Sequence, residues 1–186
     1  MPFPTPKDAP VNSLRNFYFL RAGVAAVWIA LVVMTAPASP AITGALLFLY
    51  PAWDAVANLI DSRRNGGLRA NPGQAFNALV SVITAVAIAV AFSLRGNAGG
   101  VLVFGAWALL AGLFQLAVGI RRRKLGGQAF MMISGVQSAL AGIHFIIQSF
   151  ADAPGIVQLA PYAGFGAVYF LLSGLWLTFR KVQIVR

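Results

Sequence analysis

The sequence predicts an all-α polytopic membrane protein, with six transmembrane helices arranged as three repeated antiparallel hairpins. Three observations predict it. Of 186 residues, 59% are hydrophobic and only 10% are charged, whereas a soluble domain carries roughly a quarter charged. Too few polar residues remain to coat a water-facing exterior on so small a chain. Apolar runs of about 20 residues recur, the length a helix needs to cross hydrocarbon with its backbone groups paired internally. Basic residues collect in alternate connections, the asymmetry that orients spans in a bilayer.

Taken in order, residues 1–14 form an N-terminal tail. The spans run Phe17–Ala36, Ala41–Ile60, Ala75–Leu94, Gly99–Ile120, Gln128–Phe150 and Ile156–Phe179, and residues 181–186 form a C-terminal tail. Three connections are short: Pro37–Pro40, Arg95–Ala98 and Ala151–Gly155. They pair the spans into hairpins at about 15–60, 75–120 and 128–179. The connections DSRRNGGLRANPGQ and RRRKLGG and the two tails hold most of the 14 basic residues. The excess of Lys and Arg places both tails and both basic loops in the cytoplasm. The segments GALLFLYPAWDAVANLIDSRRNGG, GVLVFGAWALLAGLFQLAVGIRRRKLGG and YAGFGAVYFLLSGLWLTFRK share a small-residue start, a central aromatic and a basic end. That profile predicts one packing unit used three times. A competing reading has Ala36-Pro37-Ala38 as a signal-peptidase site after a basic-then-apolar leader. It would orphan the second span, and an uncleaved anchor is the expectation.

Small residues predict where helices meet, since close backbone approach drives association in lipid. Stripes at four-residue spacing are Ala22, Ala26 and Ala30; Ser81, Ala85 and Ala89; and Ser134, Ser138 and Gly142. Pro51 is expected to bend the second span by removing a backbone hydrogen bond.

Few residues can carry chemistry. There is no Cys, one His and four acids, so no cluster has metal-ligand spacing and no cofactor is expected. No phosphate loop, nucleophile elbow or zincin helix is present, and an enzyme is not expected. The net charge of +10 lies at the ends of apolar runs, where it reads as topology and not as a nucleic-acid footprint.

Asp54 is the most informative residue. A carboxylate within a span costs roughly 3 kcal/mol on insertion scales, so it faces a bundle interior. It lies about 9 Å from the inner boundary at 1.5 Å per residue. Asn58 and Asp61 continue its face. Asn77, Ser81, Gln115 and Gln137 fall at similar depth, and a polar layer of Asp54, Asn58, Asn77, Ser81, Gln115 and Gln137 is expected. The layer satisfies itself and fixes register, or lets Asp54 titrate and so move a proton or sense pH, or forms a substrate site. His144 lies about 24 Å from the inner end of its span by the same rise. That separation excludes an Asp54–His144 dyad and leaves His144 as a packing residue or an outer-side pH sensor. Polar residues thin out toward the outer half, which argues against a continuous channel in one chain. Arg63, Arg64, Arg121, Arg122, Arg123 and Lys124 are topology determinants that could also hold anionic lipid head groups. Beyond the bilayer and those head groups, a second copy of the chain is a compatible partner.

The three hairpins, with GVLVFGAWALLAGLFQLAVGIRRRK and SGVQSALAGIHFI, resemble the HdeD-like family of short bacterial membrane proteins over about residues 15–180. The segment YPAWDAVANLIDSRRNGG departs from that family's apolar second helix and marks a divergent subgroup. The resemblance implies a six-span protein of the bacterial inner membrane with a role in acid or general stress resistance. It supplies no catalytic residues. Two further functions stand beside it: a small transporter or proton pathway centred on Asp54, and a structural subunit of another membrane complex.

Overall fold

Apolar runs of this length have one way to satisfy their backbones in hydrocarbon, and helices are what form. A computed structural model of the chain describes residues 9–35, 39–121, 123, 129–152 and 154–179. The helices are α1 (Ala9–Thr35), α2 (Pro40–Arg64), α3 (Pro72–Arg121), α4 (Ala129–Gln148) and α5 (Ala160–Phe179), with a 3-10 turn at Ile156–Leu159 before α5. Among the described residues there is no strand, and five helical stretches are long and apolar enough to cross a membrane.

The 50-residue α3 is broken at Gly96, whose φ of 57° and ψ of −141° leave the helical region. Only a residue without Cβ adopts that backbone readily. The chain folds back there: the rings of Phe76 and Phe114 are 5.0 Å apart, whereas a straight helix would separate them by about 57 Å. A four-residue turn was expected at Arg95–Ala98, and one glycine suffices. The connection expected at 61–74 is also shorter, because α2 continues to Arg64 and α3 begins at Pro72.

The chain divides into two compact units that do not follow the expected hairpin boundaries: residues 1–30 with 160–186, and residues 31–159. In the first, α1 and α5 run antiparallel. Tyr18 stacks on Phe170 at 6.2 Å, and Gly174 lies under the Phe19 ring. The Arg21 guanidinium sits 4.2 Å over the face of Phe170, a cation–π contact.

The second unit packs α2 on α3 and α3 on α4. Its core is aromatic: Phe104 meets Tyr50 at 5.6 Å, Trp107 at 5.4 Å and Phe145 at 6.1 Å. Beside it lies a glycine seam. A Cβ on Gly105 would stand 3.0 Å from the Gly142 carbonyl oxygen, and one on Gly135 would stand 2.8 Å from that of Gly112. These glycines repeat every seven residues on each helix, the spacing that keeps one face toward a partner. Between them the buried Ser138 hydroxyl donates to the Ala108 carbonyl at 2.9 Å.

The seam corrects the small-residue stripes. Ser138 and Gly142 are buried as expected, but Ser134 is only half-buried and Gly135 takes its place. Ser81 and Ala85 are buried, while Ala89, Ala26 and Ala30 are exposed. A four-residue spacing drifts round the helix, whereas spacings of three and four in alternation hold one line. The candidate cleavage segment Ala36–Ala38 lies outside the described residues.

Candidate functional site

Pro51 is buried inside α2 and cannot donate a backbone hydrogen bond. One turn later the polar residues begin. Asn58 is buried, and its amide nitrogen donates to the Asp54 carbonyl at 2.8 Å and to Asp54 Oδ2 at 3.0 Å. Both amide hydrogens are thus used on one residue. From the facing helix, the buried Ser81 hydroxyl donates to the same Oδ2 at 2.8 Å. Three of the residues expected in the polar layer therefore converge, and Ser81 joins α3 to α2.

The arrangement occurs twice. Seven residues on, the Asn65 amide donates to the Asp61 carbonyl at 2.8 Å and to Asp61 Oδ1 at 3.0 Å. Gln74, seven residues before Ser81, donates to Asp61 Oδ2 at 3.1 Å. Two rungs thus cross the α2–α3 interface, about 10.5 Å apart along the axis at 1.5 Å per residue. In each, a carboxylate is held by an Asn four residues further along the chain and by a donor from the antiparallel neighbour. Asn65 and Gln74 lie within the connection expected at 61–74. The repeated D-x-x-x-N at a spacing of seven was the signal that could have found them.

The remaining expected residues are placed elsewhere. Asn77 and Gln115 are half-buried on the two arms of α3 and join neither rung among the described residues. Gln137 is half-buried on α4, and its neighbour Ser138 donates to α3. His144 stands exposed on α4 with its ring 5.8 Å from that of Phe145. Arg63, Arg64, Arg121 and Arg123 are exposed, and Arg122 and Lys124 lie outside the described residues. No group of three or more metal-ligating side chains occurs among the described residues.

The loop between the rungs and α3 is braced by its own amides. Gly66 and Gly67 take φ of 92° and 88°. Asn71 closes the turn, its amide donating to the Asn65 carbonyl at 2.6 Å and to the Gly67 carbonyl at 2.9 Å. Comparison with family models, curated proteins and solved structures finds no match.

Proposed function

We propose that this chain is a non-enzymatic protein of the bacterial cytoplasmic membrane that crosses it six times, with both termini inside, and supports the envelope under acid or general stress. The break in α3 supports the reading of six crossings. Its arms of about 24 and 25 residues are each about 36 Å long at 1.5 Å per residue, enough for a bilayer core of about 30 Å. The expected threefold hairpin repeat belongs to the same reading. The stress role rests on the resemblance to the HdeD-like family.

One observation carries the non-enzymatic part. Asp54, the residue best placed within a span for chemistry, is engaged by Asn58 and Ser81 in a bond set that ties α2 to α3. That is the use expected of a polar group fixing helix register in lipid. The test is survival of acid exposure by cells lacking the protein, complemented with wild type or with Asp54→Asn. Rescue by both supports a register role. Rescue by neither refutes the stress role.

A second reading, a proton pathway or small transporter, is favoured by the two carboxylates that follow one face of α2 from its end inward. Proton or solute flux into liposomes holding the purified protein, at neutral and acid pH, tests it. No flux removes it.

A further inference from the structure

Five exposed arginines converge on one end of the α2–α4 unit. The Asp61–Gln74 bond joins the end of α2 to the start of α3, and the Phe76–Phe114 contact brings the end of α3 to the same place. Arg63 and Arg64 end α2, Arg69 lies in the braced loop, and Arg121 and Arg123 follow the second arm of α3; all five are exposed. At the opposite end of this unit, Arg95 and Asp152 are exposed and offset each other in sign.

The acid at the basic end is committed elsewhere. One Asp61 oxygen takes the Asn65 amide and the other takes Gln74. Neutral donors thus satisfy both oxygens of this carboxylate. The loop is ordered by Asn71 and two left-handed glycines. It presents Leu68, 43% exposed, beside Arg69. An apolar side chain flanked by guanidinium groups at the end of membrane-spanning helices matches the boundary between acyl chains and phosphates.

We propose that this end is a binding surface for anionic phospholipid, with Arg63, Arg64 and Arg69 holding head-group phosphates and Leu68 reaching the acyl boundary. The guanidinium fork suits phosphate oxygens in a bidentate fashion. Arg121 and Arg123 extend the same positive surface. The proposal rests on the membrane reading above and adds a lipid class to it.

The test uses full-length protein purified in neutral detergent. Phosphatidylglycerol and phosphatidylcholine of identical acyl chains are titrated against thermal stability to give apparent affinities. The expected result is at least tenfold tighter binding of phosphatidylglycerol. The triple variant R63Q/R64Q/R69Q should lose most of that preference, at about fivefold per arginine, while R95Q at the other end retains it. Equal affinity for the two lipids, an unaltered triple variant, or equal loss in R95Q overturns the proposal. Displacement of the lipid by inorganic phosphate or a short DNA duplex at the same concentration also overturns it. Full solubility without detergent would instead sink the membrane reading itself.

Discussion

Replacing Gly142 with Ala puts one methyl group into the α3–α4 seam. The added Cβ would stand 2.6 Å from the Gly105 carbonyl oxygen and press on the Leu109 backbone nitrogen. Ordinary contact begins near 3.4 Å, so the helices must part by at least about 0.8 Å at Gly105 and by more at Leu109, the nearer obstruction. Both obstructing atoms are backbone, and neither can swing aside by changing rotamer. The neighbouring Gly112–Gly135 approach lies one heptad away and loosens with it. Overpacking of this kind costs about 1–3 kcal/mol. The Ser138 to Ala108 bond, now 2.9 Å and buried, stretches as well, and an interhelical bond in lipid contributes about 0.6 kcal/mol. The expected loss is about 2–4 kcal/mol. Gly23→Ala is the control, since nothing lies within 4 Å of its added Cβ. There a helical alanine should stabilise by about 0.5–1 kcal/mol. The assay is unfolding in mixed micelles on titration with a denaturing detergent, followed by helicity. If Gly142→Ala unfolds within about 0.5 kcal/mol of wild type, or no earlier than Gly23→Ala, glycine packing does not hold this pair together.

Further outcomes are expected, by the same unfolding assay except where expression is named. Ser81→Ala removes the donor from α3 to Asp54 and should cost about 0.6 kcal/mol, with a ceiling of about 1.7. Asp54→Asn keeps an oxygen to accept from Ser81 and should leave expression yield unchanged. Gly96→Ala forces a Cβ into a backbone region that is nearly glycine-only and should cost about 1–3 kcal/mol; no measurable loss would mean the reversal of α3 tolerates another conformation. Phe170→Leu keeps apolar bulk but removes the face under Arg21. It should cost about 0.5–2 kcal/mol, and Arg21→Lys should lose part of the same energy.

Helix positions were the most legible feature, because a bilayer-length apolar run has few alternatives. Asp54, Asn58 and Ser81 were legible too, since depth and face can be reckoned from a rise of 1.5 Å per residue. Asn77 and Gln115 met the same depth criterion without joining a rung, because depth says nothing about rotation of a helix about its own axis. The small-residue stripes were blurred for a related reason. Alanine and glycine look alike in composition, yet only glycine permits backbone contact, and Gly135 displaced Ser134 on that account. Packing order was the least legible. Short turns suggest that consecutive spans belong together, but α1 forms a compact unit with α5. No local signal in either helix names a partner so far along the chain.

That long-range partnership has a consequence for biogenesis. Arg21 and the ring it stacks on are separated by almost the whole polypeptide. At a synthesis rate of about 5–20 residues per second, the first helix waits roughly 7–30 s before its mate leaves the ribosome. During that interval a guanidinium on a lone inserted helix needs provisional shelter, from the translocation machinery or from water drawn in at the bilayer edge. Assembly of this protein should therefore be gated by its last helix. Truncation before Ala160 would strand the first helix, a defect that quality-control proteases are built to detect.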